Sequence, residues 1–239
     1  MSDTDFWSCP PDSGVWGSGD HTITLVLPPF SGPGPVFAAH DPVRAQEFAE
    51  AFGTVDEVLE EVQSASAAEP MALETRKDLD FIRVGCWGNV LAISDPSLAD
   101  NGNAHPVLGQ VTALRDRFPG ARIVGSAHVD CGETHSEDVI VVPGVPLLHS
   151  EGWPGEEPWT LIGDLQAVLD ALGITPEVLE EEDVELSGDP RYSDWEGLAR
   201  LALGPYDPWG RADLLTSVFR VRHTESATAL MEEIWLPDV

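Results

Sequence analysis

Residues 121–148 read ARIVGSAHVDCGETHSEDVIVVPGVPLL, and the reading of this stretch decides the fold. Ala121 to Val129 and Val139 to Val142 predict two strands, being short runs rich in β-branched residues. Pro143-Gly144 predicts a turn into a third run, Val145 to Leu148. Immediately upstream, Val107, Val111, Leu114 and Phe118 recur at three- and four-residue steps, which predicts a helix over 106–118. Pro119-Gly120 ends it. Further upstream, Phe81 to Val84 and Val90 to Ile93 flank Gly85-Cys86-Trp87-Gly88-Asn89 and read as a hairpin. The central order is strand, strand, helix, then three strands. That predicts an α+β fold with a mostly antiparallel sheet and helices packed on it.

The flanks extend this frame. His21 to Leu27 alternates and reads as a strand. Asp41-Pro42 pairs an N-cap with a proline at the first helical position, so a helix begins there, with Val43, Phe48 and Phe52 on one face. Thr54 and Asp56 predict a second short helix through Val58, Leu59 and Val62. Residues 64–78 read as a surface connection, and Ser31 to Pro35 as a Gly/Pro loop. Beyond a loop from Glu151 to Trp159, Asp164 caps a helix ended by Gly173. Thr175-Pro176 opens the next, and Ser193 or Asp194 caps another. Val218 to Arg222 reads as a strand and Glu225 to Trp235 as a final helix. The expectation is one compact unit over 1–239, with an irregular arm at 1–20 and helical decoration toward the C-terminus. Residues 183–192 are the best candidate for a minor boundary.

Composition bounds the function. The 239 residues carry 42 acidic and 12 basic side chains, a formal charge of −30. Such a chain is repelled by nucleic acid and by anionic membranes and is drawn to cations and basic proteins. Lys77 is the only lysine, a bias that also fits a GC-rich genome. Hydrophobic residues make up 42%, enough for a sizeable core. Three scattered cysteines, Cys9, Cys86 and Cys131, argue against a disulfide framework and for a reducing cytoplasm. No stretch reads as a signal peptide or a membrane span. Gly32-Pro33-Gly34-Pro35 lacks the lysine and helix start of a phosphate-binding loop.

The densest chemistry lies inside the opening stretch. His128, Asp130, Glu133 and His135 are candidate metal ligands, for zinc or iron, because imidazole and carboxylate both serve those ions. Cys131 with His135 is a candidate nucleophile–base pair. The bland reading of the same residues is a polar hairpin loop. Trp153, Trp159 and Trp209 sit in Pro/Gly loops and are candidate partner anchors. Glu180, Glu181, Glu182 and Asp183 form a candidate docking surface for a basic protein.

Six stretches carry a resemblance: Asp5-Phe6-Trp7-Ser8, Leu27-Pro28-Pro29-Phe30, Gly85-Cys86-Trp87-Gly88, residues 132–138, Gly152-Trp153-Pro154-Gly155 and Asp207-Pro208-Trp209-Gly210. In these the chain resembles an uncharacterised family of acidic actinomycete proteins. The resemblance implies a streptomycete-like source and no particular activity.

Two functional readings follow. The first is an acidic cytoplasmic module that binds a basic partner, of immunity, inhibitor or accessory type. The second is a metal-dependent or Cys/His enzyme centred on residues 128–138.

Overall fold

The computed structural model describes residues 6–30, 37–132 and 134–236. Its elements are β1 (Ser18–Val26), α1 (Pro42–Glu50), β2 (Val55–Ser66), β3 (Phe81–Trp87), β4 (Val90–Ser94), α2 (Pro106–Arg117), β5 (Arg122–Asp130), β6 (Thr134–Val141), β7 (Leu148–Gly152), β8 (Trp159–Ile162), α3 (Leu165–Leu172), α4 (Pro176–Glu181), α5 (Trp195–Leu203), β9 (Leu215–His223) and α6 (Glu225–Trp235). The nine strands form one sheet in the order β2-β9-β3-β4-β1-β5-β6-β7-β8. Every paired neighbour is antiparallel. The fold is α+β, as the sequence predicts.

Side-chain alternation divides the sheet into two faces. Ile23, Leu25, Ile82, Val84, Ile123, Val139 and Val141 point to one face, where Phe48 and Phe52 around α1 and Val107, Val111 and Leu114 of α2 close the core. Val26, Val124, Ile140 and Leu148 point to the other, against α3 and α5. A third cluster, Leu79, Ala99, Val129, Met231 and Trp235, seats α6. Gly125 sets how closely α2 approaches the sheet. A Cβ there would lie 2.5 Å from Val107 Cγ1 and 2.8 Å from Val111 Cγ2.

The helix-start signals act as expected. Asp41 accepts from the Arg44 N–H, Asp164 from Ala167, Thr175 from Val178 and Asp194 from Gly197. The arm packs on the body from residue 6 onward: the Trp7 indole donates to Asp80 at 2.8 Å.

Three readings need correction. Residues 55–66 form strand β2, not a short helix with a surface connection after it. The predicted run Val145 to Leu148 starts a strand only at its last residue, and β7 continues through Gly152. Trp159–Ile162 is a strand where the sequence showed the end of a loop. The Gly/Pro loop expected at 31–35 lies outside the described residues. Residues 183–192 contain the buried Val184 and a 3-10 turn, Pro190–Tyr192. Among the described residues no helix is long and apolar enough to cross a membrane.

Candidate metal centre

Strands β6 and β7 place four ionisable side chains on the α2 face of the sheet. His135 and Glu137 share the parity of Val139 and Val141, and Glu137 pairs with Glu151 across the ladder. His149 lies opposite Val139. All four are buried, as is Asp100 in the loop before α2. His105, at the N-cap of α2, completes the group with a half-buried ring.

The loop holding Asp100 is fixed from both ends. Asp95 starts it, accepting from Thr54 Oγ1 at 2.6 Å and from the Ser97 N–H at 2.8 Å. His223 Nε2 lies 3.1 Å from the same carboxylate. Burial opposes the Asp95 charge, but His223, Ser97 and Thr54 outweigh it and hold the pKa down at about 2. Asp100 gathers the rest of the loop, accepting from the N–H groups of Asn101, Asn103, Ala104 and His105 at 2.8, 3.3, 3.0 and 3.0 Å. Burial would raise its pKa. The Ala104 and His105 N–H groups and the His135 ring reverse that and lower it. His105 itself sits in the left-handed region, at φ 47°. A histidine held there is worth noticing at a functional site.

Glu137 ties the sheet to the helix. Its two oxygens accept the first free N–H groups of α2, from Val107 at 3.1 Å and Leu108 at 3.0 Å. A carboxylate at a helix N-terminus satisfies orphan donors and meets the positive end of the helix dipole.

The histidine nitrogens are the decisive detail. His105 Nδ1 lies 3.3 Å from Asp100 Oδ2 and 3.2 Å from Glu151 Oε2. His135 Nε2 lies 3.5 Å from Glu151 Oε1, and His149 Nε2 lies 3.2 Å from Glu137 Oε1. Yet these nitrogens, and His149 Nδ1, are buried without an aligned hydrogen bond among the described residues. Buried polar atoms ordinarily find one. Close approach of lone-pair donors without hydrogen-bond alignment is the arrangement a cation resolves. Burial lowers the His135 pKa against the pull of Asp100, which favours the neutral, ligating imidazole. Burial raises that of Glu151, with His105 opposing.

An open groove of about 490 Å³ reaches this cluster, bordered by Asp100, Cys131, His135, Trp153 and Glu233. The Trp153 ring stands edge-on to His135, with centroids 4.6 Å apart.

The residues singled out from sequence are distributed differently. His128 pairs with Ser136 and therefore faces away from His135, on the opposite side of the sheet. Alternation separates any even–odd pair along these strands, so His128 and Asp130 do not converge with His135. Asp130 is exposed and accepts from the Gly132 N–H at 3.0 Å. Glu133 lies outside the described residues. The Cys131 thiol points at the carbonyls of Trp16 and Ile234, at 3.4 and 3.5 Å, not at a histidine. Burial and Asp130 push its pKa up, away from a reactive thiolate. Of the expected set only His135 enters the centre.

His128 instead joins a second polar group. Its Nε2 lies 3.1 Å from Asp138 and 3.2 Å from Ser126 Oγ, and its Nδ1 lies 3.6 Å from Glu196. Burial opposes its charge, but Asp138, Glu196 and Asp20 raise the pKa to about 9, so it is a cation rather than a base at neutral pH. It borders a cleft of about 300 Å³ with Arg83, Arg200 and Trp209. Trp209 donates to Thr24 Oγ1 and Trp159 to Ser150 Oγ, both at 3.1 Å, so both indole N–H groups are engaged within the fold. Glu180, Glu181, Glu182 and Asp183 are all exposed.

Sequence reasoning passed over Asp100, His105, His149 and Glu151. One signal was present. His-Ser-Glu occurs twice, at 135–137 and 149–151. Two copies of an alternating tripeptide, joined by a Pro-Gly turn, place four donors on one face when the strands pair.

Fold and site together define an α+β protein with a buried histidine–carboxylate cluster under the first turn of a helix. The chain belongs to a family of unknown function, DUF6333, whose match covers residues 6–238. No curated protein and no solved structure matches it.

Proposed function

We propose that this protein is a metal-dependent enzyme that binds a divalent transition metal of the zinc or iron kind with His105, His135, His149, Asp100 and Glu151. The observation that carries this reading is the set of buried histidine nitrogens lying against buried carboxylates without hydrogen-bond alignment. Imidazole and carboxylate are the donors such ions take. Glu137 fits the role of an outer carboxylate that orients His149. A metal here would supply a Lewis acid or an activated water to a ligand in the groove. Asp100 and His135 face that groove, and Trp153 walls it.

The test is metal analysis of protein purified without a metal-binding tag, followed by calorimetric titration of the chelated protein with Zn²⁺. Micromolar or tighter binding, weakened at least ~10-fold in His135→Ala, is expected. Wild-type protein that takes up no Zn²⁺ or Fe²⁺ would end this reading.

A second reading, a docking surface for a basic partner, is supported by the exposure of Glu180, Glu181, Glu182 and Asp183. A pull-down at low salt from the native host that yields no basic protein would count against it.

A further inference from the structure

The donor atoms of the centre fall into two trios. His105, His149 and Glu151 form one, and Asp100, His135 and Glu151 the other. Within each, the atoms lie within 4.8 Å of one another. That suits an ion with bonds of ~2.0–2.2 Å, whose opposite ligands stand ~4 Å apart. Only Glu151 belongs to both trios, and a different one of its oxygens approaches a histidine of each. Oε2 is 3.2 Å from His105 Nδ1, and Oε1 is 3.5 Å from His135 Nε2. The trios are adjacent, since His105 Nδ1 also lies 3.3 Å from Asp100 Oδ2.

From this geometry we infer that the centre holds two divalent transition-metal ions side by side, bridged by the Glu151 carboxylate. This rests on the metal-binding reading and goes beyond it in number and arrangement. Charge is consistent with it. Asp100, Glu137 and Glu151 bring three buried carboxylates to one place, more than one divalent ion neutralises. Paired ions ~3.5–4 Å apart can hold both the attacking and the leaving oxygen of a displacement. The groove opens on the Asp100–His135 trio, so the ion held there is the one a substrate would meet first.

The experiment is a Zn²⁺ titration of the chelated full-length protein, read by calorimetry and by metal content after desalting. Two ions per chain are expected. His149→Ala should retain one, Asp100→Asn should retain one, and Glu151→Gln should weaken both at least ~10-fold. Circular dichroism checks each variant for folding, and His105→Ala, at the partly exposed cap, replaces His149→Ala if that variant unfolds. Loading with Mn²⁺ gives an independent reading, because bridged ions show an exchange-coupled paramagnetic resonance signal and isolated ones do not. One ion per chain, lost equally in His149→Ala and Asp100→Asn, would overturn the pair while leaving the metal-binding reading intact. No ion would overturn both. Two ions that persist unweakened in Glu151→Gln would assign them to surface carboxylates and overturn the bridge.

Discussion

Glu137 and Glu151 stand directly opposite each other on adjacent strands, and both are buried. Like charges facing each other across a ladder are destabilising, more so out of water. Each has a separate answer here. Glu137 is taken by the α2 N-terminus, while Glu151 faces the histidines. The pair is a stored electrostatic cost that a bound cation would relieve.

Metal should therefore stabilise the fold. A ligand present at 100 times its Kd adds about 2.7 kcal/mol. At this chain length each kcal/mol shifts Tm by ~2–4 °C. Zn²⁺ should raise Tm of chelated protein by roughly 5–10 °C in differential scanning fluorimetry. An unchanged Tm in Glu151→Gln separates binding at the centre from binding elsewhere.

Glu137→Ala removes both acceptors from the first turn of α2. Charged acceptors lost from buried N–H groups cost ~1.5–3 kcal/mol each, offset in part by relief of the Glu151 repulsion. A net loss of ~2–4 kcal/mol in urea unfolding is expected. Glu137→Gln keeps an acceptor without the charge and should lose less.

Gly125→Ala tests how α2 reaches the sheet. The added methyl meets Val107 and Val111, so the helix must shift outward. Overpacking of this kind costs ~1–3 kcal/mol. Because Val107 also donates to Glu137, metal affinity should fall along with stability. A stable variant with unchanged affinity would show that the helix position does not govern the centre.

Two histidines, one half-buried and one buried, should shape the pH profile in opposite senses. His128 has its pKa raised to about 9, so the stability it contributes is complete below its unfolded value near 6.5 and is lost as pH rises through 9. The change is up to about 3 kcal/mol. His21 is fully buried beside Trp235, and burial lowers its pKa to about 4 against Asp95 and Asp20. It therefore costs stability as pH falls from 6.5 toward 4. Unfolding free energy should peak near neutrality, and His128→Gln should flatten the alkaline limb alone.

The strands and helices around the hairpin were legible because local signals and packing agree there: the Gly88-Asn89 turn, the Asp41-Pro42 cap and the apolar spacing of α2. Strand β2 was not. Val55, Val58, Leu59 and Val62 repeat at helical steps, but this is an edge strand whose register on β9 shifts between Val55/Glu57, Val58/Glu60 and Glu61/Gln63. Each irregularity absorbs a residue, so a three-step pattern can lie on a sheet. Charged residues line it, with Glu60 on Arg220 and Asp56 on Arg222, as edge strands require. Of the centre only His135 was legible. Adjacency in sequence suggested His128 with His135, and strand alternation separates them. Asp100 and His105 reach the site only through a loop and a helix cap, which no periodicity announces.

The sheet order places β9, the last of the described strands, between β2 and β3. On the ribosome, β2 has no partner until residues 215–223 have emerged. Until then two strand edges stay open, and the nascent chain is at its most prone to pair with a neighbour. A translational stop before β9 would thus leave more than a missing end: it would release β2 and leave β3 as a bare, adhesive margin.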